Sequence, residues 1–316
     1  CIDLINAGYD VLIIDTLTNS QDDTFTNIKK IVLNDKKTEH EKGKIFFRKG
    51  DLRNKIWLNE VFEEFENKKK PINSVIHFAG LKAVAESVSK PLKYWHVNVL
   101  GTINLLESVR LFVPEVRLYQ ASSSEMFKAT DEGIFNENSE LKALTPYAEA
   151  KIENHLKVIE LSKLYDFNIY SGIMFNHESE FRLPEYLIMN IINKAEDILQ
   201  KKETKFSVGS LDLVRDWSFA GDVADAMVKI TENGKQNSYV IGSGSGTNIE
   251  NVIKIIFQYF NLDYKNYVEI KKNLNRKNNP KIIISDPTLI KSELGWCAKM
   301  KLEDLINRCI EKKFRN

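Results

Sequence analysis

An α/β fold built on a doubly wound parallel sheet is predicted, followed by a smaller, mostly helical domain. Three observations predict it. Short β-branched apolar runs alternate with longer amphipathic stretches through the first half of the 316 residues. The runs have strand length and the stretches have helix length, the pattern of βαβ units. After about Phe175 the alternation loosens and helical patterning takes over.

The strands are expected at Val11–Ile14, Ile45–Phe47, Ser74–Phe78, Arg117–Ala121, Asn168–Met174 and Tyr239–Gly242. Helices are expected around Lys55–Phe65, Trp95–Leu111 and Ala148–Tyr165, and over Arg182–Lys201. This divides the chain into a sheet domain, residues 1–174, and a second domain, residues 175–316, with the stretch near Val214–Ile241 returning to the sheet. The first residues, Ile2 to Ile5, read as an uncapped helix stopped by Gly8. A helix entered without a cap or a preceding element predicts an upstream strand and turn, which the codons before Cys1 would test.

Composition excludes several functions. A net charge of +1 gives no basic field for nucleic acid. No apolar run reaches the roughly 18 residues of a membrane helix, and no signal peptide is visible. Three cysteines without a close pair suit a reducing compartment, so the cytosol is the expected location. No metal ligand set is assigned. The Lys68–Lys70 run before Pro71 reads as a solvated loop.

Parallel sheets bind ligands beyond the carboxyl ends of their strands, so the residues there carry the functional reading. Asp15 closes the first strand; an acid there can take both ribose hydroxyls and repel a 2′-phosphate, or simply serve a turn. Gly50-Asp51-Leu52 ends the second, where an adenine edge can bind. Phe78-Ala79-Gly80 follows the third; Ala79 and Gly80 let backbone approach a ligand, and Lys82 can reach a phosphate or stay in solvent. His77 alone reads as a satisfied sheet residue.

Ser122-Ser123-Ser124-Glu125 follows the fourth strand. The hydroxyls can cap the next segment, yet a carboxylate two residues beyond a hydroxyl can move a proton while the hydroxyl holds a substrate oxygen. Tyr147 and Lys151 share one helix face at i and i+4, after Thr145-Pro146. A neighbouring ammonium favours phenolate, so the Tyr147 pKa is expected to fall toward a usable base.

These residues in this order resemble the extended short-chain dehydrogenase/reductase superfamily, in its nucleotide-sugar branch. The resemblance implies a Rossmann-like sheet domain, NAD rather than NADP, and a homodimer or homotetramer formed through Trp95–Leu111 and Ala148–Tyr165. From Cys1 to about Glu115, "NAGYDVLIIDTLTNS", "GDLRN", "VIHFAGLKAVAESVSKPLKYW" and "NVLGT" resemble UDP-glucose 4-epimerase. That likeness implies NAD contacts at Asp15, Asp51, Leu52, Phe78, Ala79, Gly80, Lys82 and Asn98, with Tyr147 and Lys151. From about Tyr119, "YQASSSEMF", "TPYAEAK", "GIMFNHES", "LVRDWSFAGDVADAM" and "SDPTLIKSELGW" resemble GDP-mannose 4,6-dehydratase.

Glu125 separates the two chemistries. Both begin with Tyr147 taking a hydroxyl proton as C4 yields hydride, Ser123 holding that oxygen and Lys151 holding the ribose. A dehydratase must also remove the C5 proton and expel the C6 hydroxyl, so it needs a carboxylate, and Glu125 stands in that place. The resemblance further implies substrate contacts at Asn176, Arg215 and Arg276, the two arginines being candidates for phosphates.

Three departures qualify the likeness. The family's Gly-rich turn does not occur in the sequence, so weak NAD binding is expected, to be checked by calorimetry. Lys128 replaces a glycine. Leu187-Ile188-Met189-Asn190 replaces a substrate-contacting "VTRK" and loses two cations. The expected function is a GDP-mannose-type 4,6-dehydratase. The rivals are a UDP-glucose 4-epimerase-type enzyme and a truncated, non-catalytic sugar-nucleotide-binding relative.

Overall fold

All six expected strands form in the computed structural model, which describes residues 1–18, 24–34, 42–130, 132–274 and 279–314. In chain order the first elements are α1 (Ile2–Asn6), β1 (Val11–Asp15), α2 (Thr24–Asn34), β2 (Ile45–Lys49), α3 (Lys55–Asn67) and β3 (Ser74–His77). Next come α4 (Val84–Ser89), α5 (Pro91–Tyr94), a π-helical turn (Trp95–Leu100), α6 (Gly101–Phe112), β4 (Arg117–Ser123), β5 (Ile134–Phe135) and α7 (Pro146–Tyr165). Then follow β6 (Ile169–Met174), β7 (Asn176–Glu178), α8 (Leu187–Leu199), β8 (Phe206–Val208), β9 (Val214–Phe219), α9 (Ala220–Asn233) and β10 (Ser238–Ile241). The last are β11 (Gly246–Asn248), α10 (Ile249–Tyr259), β12 (Val268–Ile270), β13 (Ile282–Ser285), α11 (Thr288–Leu294) and α12 (Leu302–Phe314).

The chain divides into two compact units, one of Cys1–Asn73, Ala79–Lys82 and Leu92–Pro114, the other of Ser74–Phe78, Ala83–Pro91 and Glu115–Asn316. In the first, β1 and β2 pair in parallel from Val11↔Ile45 to Asp15↔Lys49. Asn54 caps α3, accepting a bond from the Trp57 amide at 3.2 Å. Leu58, Val61, Phe62 and Phe65 are buried on α3 at helical spacing. They face α6, where Leu105, Leu106 and Val109 are buried, and Phe62 stacks on Phe112 at 6.0 Å between centroids.

The second unit carries a four-stranded parallel sheet in the order β10-β6-β4-β3. Residues of alternate parity face opposite ways. Tyr119, Ala121 and Tyr170 pack with Val223, Ala226, Met227 and Ile230 of α9. Helix α7 packs on β4 and β6 as well. It starts where the sequence dictates: the Thr145 hydroxyl accepts from the Ala148 amide at 3.2 Å, and Pro146 fills the first turn. It stops at Asp166, in the left-handed region at φ 53°.

Further along this unit, β11-β9-β13-β5 form a sheet to which β7 adds through β9, and β8 pairs with β12. Helices α8, α10 and α12 share an apolar core with Ile188, Ile192, Ile253, Ile256, Leu305 and Ile306 wholly buried. Helix α8 begins at Leu187, not at Arg182 as the apolar spacing suggests, because Pro184 disfavours helical backbone at Leu183. The stretch Val214–Ile241 yields β9, α9 and β10, and β10 pairs with β6. Among the described residues no helix is long and apolar enough to cross a membrane.

Candidate active site

Four residues singled out from sequence lie at one end of the four-stranded sheet. Strand β4 runs two residues beyond its apolar part, pairing Ser122↔Ile173 and Ser123↔Met174, and so carries Ser123 to the strand end. A 3-10 turn, Ser124–Met126, follows; Ser123 Oγ accepts from the Glu125 amide at 3.3 Å. That bond turns the chain and sets Glu125 beside its neighbours. Tyr147, in the first turn of α7, hydrogen-bonds Ser123, and the Glu125 carboxylate acts on the same phenol. One turn on, Lys151 Nζ donates to the Ala121 carbonyl at 2.8 Å and sits 5.9 Å from the Tyr147 ring centroid. Tyr147 and Lys151 are each 8% exposed.

The electrostatics differ from the sequence expectation. Lys151 was to pull the Tyr147 pKa down. Burial instead pushes the phenol up to about 12, opposed by the Ser123 bond and assisted by Glu125 and Tyr186. Burial also brings Lys151 down to about 8. His77 is buried in β3, as a sheet residue should be, and held near 3 by burial and then by the Lys151 charge. It is therefore neutral beside Lys151. Tyr186, the residue before α8, escaped the sequence reading; only its proximity to Tyr147 reveals it, and the Arg182 guanidinium lies 3.6 Å over its ring.

The expected cofactor residues of the first unit gather at strand ends. Asp15 ends β1, exposed, its Oδ1 accepting from the Leu17 amide at 2.6 Å; the Gly50 amide donates to the Asp15 carbonyl at 3.1 Å. Asp51 takes the Arg53 amide at 2.9 Å and its guanidinium at 2.6 Å, which lowers its pKa. The Leu52 carbonyl accepts from Asn104 at 2.9 Å. Asn98 lies buried in the π-helical turn and clasps Leu81 at both ends, accepting from its amide at 2.7 Å and donating to its carbonyl at 3.0 Å. A Cβ on Gly80 would meet Asn98 Oδ1 at 3.0 Å. Asn98 thus holds the Ala79–Lys82 loop, whose Ala79, Gly80 and Lys82 are exposed; Phe78 before it is exposed too. An exposed carboxylate at one strand end and a loop whose exposed Ala79 and Gly80 carry little or no side chain are features that fit a dinucleotide.

The expected substrate residues are spread out. Asn176 is exposed in β7. Arg215 in β9 donates to the carbonyls of Val214 at 2.7 Å and Pro280 at 2.9 Å and to Asn279 Oδ1 at 2.7 Å, so its guanidinium ties β9 to the approach of β13. Arg276 lies outside the described residues. Lys128 pairs with Glu140 at 2.7 Å.

Comparison with known proteins adds the kinship. The sequence model of the family described as GDP-mannose 4,6 dehydratase matches residues 1–309. GDP-mannose 4,6 dehydratase 2 of Arabidopsis thaliana is 30% identical over 243 residues, 76% of this chain. The match spans 65% of that relative's own length. UDP-glucose 4-epimerase of Bacillus subtilis (strain 168) is 26% identical over 323 residues, covering 96% of this chain and 90% of the relative. Among solved structures, UDP-glucose 4-epimerase from Thermotoga maritima with UDP-glucose superposes with a TM-score of 0.81 at 20% identity, over 99% of this chain and 93% of that one. The dTDP-glucose 4,6-dehydratase DesIV from Streptomyces venezuelae, with NAD and TYD bound, gives 0.81 at 21%, over 97% and 88%. These structures share the Rossmann-type α/β fold.

Proposed function

The chain belongs to the GDP-mannose 4,6 dehydratase family, and on that premise we propose that it is an NAD-dependent nucleotide-sugar 4,6-dehydratase acting on GDP-mannose or a close relative. The observation that carries the reading is a carboxylate, Glu125, acting on the same phenol that hydrogen-bonds Ser123. Tyr147 accepts the proton of the sugar C4 hydroxyl while Ser123 holds that oxygen. The Ser123 bond opposes the burial that disfavours phenolate, and the Lys151 ammonium, charged below about pH 8, is proposed to hold the cofactor ribose. NAD, when bound, supplies the hydride acceptor for C4, a positive ring nearby, and the hydride returned to C6. Glu125 then removes the C5 proton and delivers a proton to the departing C6 hydroxyl, which leaves as water. C5 regains a proton, and the product is a 4-keto-6-deoxy sugar. Asp15, Asp51, Leu52, Phe78, Ala79, Gly80, Lys82 and Asn98, with Tyr147 and Lys151, are proposed to hold the cofactor. Asn176, Arg215 and Arg276 are proposed to hold the substrate.

Chromatography of nucleotide sugars after incubation with the full-length protein and NAD tests this. A 4-keto-6-deoxy product is expected. Formation of the 4-epimer alone would favour the second reading, an epimerase, which the Bacillus likeness over 96% of the chain supports. Glu125→Gln should keep slow C4 oxidation and lose elimination by about a hundredfold or more; elimination at the wild-type rate would refute the role of Glu125. Association as a homodimer or homotetramer is part of the proposal. Leu156 and Leu164 of α7 are 49% and 64% exposed and lie within about 80° of each other around the helix, an apolar surface suited to a second copy. Sedimentation would show it.

A further inference from the structure

The helix that carries Tyr147 and Lys151 is also linked to β4 indirectly, through β6, by residues the proposed chemistry does not use. His155 continues the stripe of Tyr147 and Lys151 by one more turn of α7. Its Nδ1 lies 2.7 Å from Ser171 Oγ on β6, and Ser171 Oγ donates to Ser122 Oγ on β4 at 2.9 Å. All three side chains are buried: His155 is 4% exposed, Ser122 1% and Ser171 0%. Such a chain of hydroxyls and imidazole in an apolar interior is held because each unmet bond is expensive there.

Ser122 stands between two anchors. The residue before it, Ala121, offers the carbonyl that receives Lys151, and the residue after it, Ser123, bonds Tyr147. The stripe therefore meets three successive residues of β4: Tyr147 on Ser123, His155 through Ser171 on Ser122, and Lys151 on Ala121. Resting on the reading of Tyr147 as the base, we propose that His155, Ser171 and Ser122 form a positioning relay that sets the register of the catalytic helix against β4, and so the Tyr147–Ser123 and Lys151–Ala121 contacts. Burial holds the His155 imidazole near 4, so the relay stays neutral while the enzyme works.

Ser122→Ala and Ser171→Ala test it, each removing one oxygen; His155→Phe is the larger change. Two readouts are needed. In turnover, kcat should fall by about tenfold with KM for the nucleotide sugar within about threefold, since the relay touches no substrate. In the protein without substrate, the Lys151 titration should move by about half a pH unit or more. It is followed by NMR of labelled lysine and identified by its loss in Lys151→Met. Unchanged kcat and unchanged Lys151 midpoint would overturn the relay. So would a KM rise at constant kcat, or a kcat loss without a moved midpoint, since the effect would then bypass the Ala121–Lys151 contact. If the wild-type protein turns over no nucleotide sugar, the dehydratase reading fails, and the Lys151 midpoint still decides the relay.

Discussion

Replacing Lys151 by Met should make the protein more stable while abolishing turnover. Lys151 is 8% exposed, and burial brings its pKa from 10.5 to about 8. The folded-state value lies below the unfolded one, so the charged form is the one the fold disfavours. The penalty is complete below about pH 8 and fades as pH rises toward the unfolded value. A displacement of about 2.5 pH units from those two values corresponds to about 3 kcal/mol at pH 7 and about 1 kcal/mol at pH 9.5. Methionine has a similar reach and no charge, but it gives up the 2.8 Å bond to the Ala121 carbonyl, worth about 1 kcal/mol. The net gain is therefore about 2 kcal/mol at pH 7, shrinking to near zero by pH 9.5. Urea unfolding of both proteins across that range measures it. A variant no more stable than wild type at pH 7, or a gain that does not change with pH, would refute the reasoning.

Two further outcomes follow from packing. Asp216 is 1% exposed; Oδ1 accepts from the Ser243 amide at 2.9 Å and hydroxyl at 2.5 Å. Oδ2 accepts from the Gly244 amide at 3.0 Å, the Ser285 amide at 3.2 Å and the Ser285 hydroxyl. Asp216→Ala strands the buried Ser285 donors while Gly244 turns to water, so a loss of about 3–5 kcal/mol in chemical denaturation is expected; below about 1 kcal/mol would contradict it. A Cβ at Gly172 would lie 1.9 Å from the hydroxyl of the wholly buried Tyr119, so Gly172→Ala should cost about 1–3 kcal/mol. An unchanged melting midpoint would show that the ring moves aside freely.

The parts legible in the sequence are those where local pattern and burial coincide. Five of the six residues of β6 are buried, and apolar side chains stand on both sides of its Ser171-Gly172 centre. The last two residues of β4 are serines that carry no strand signal, and their pairing with Ile173 and Met174 is a tertiary fact. Strands β5, β7, β8, β11 and β12 have two or three residues each, too few for periodicity; partners distant in the chain hold them. At the site, residue types and order pointed to Ser123, Glu125, Tyr147 and Lys151. The direction of the Tyr147 pKa was not legible, because the ammonium is visible in a helix spacing while desolvation is set by everything packed around the phenol. His155, Ser171 and Tyr186 were silent for the same reason. Each is ordinary in its own element, and each gains meaning only from a neighbour on another.

The π-helical turn before α6 places one extra residue in a helical run, and that residue is what lets Asn98 face Leu81. An insertion of this kind is reversible: deleting one residue between Trp95 and Leu100 would restore ordinary helical winding and swing the preceding segment by about 100° around the axis. The clasp on the Ala79–Lys82 loop would open with no substitution in the loop itself. Among relatives, a one-residue gap here would therefore mark a changed loop more surely than any replacement within it, and the length of this turn is as informative as its composition.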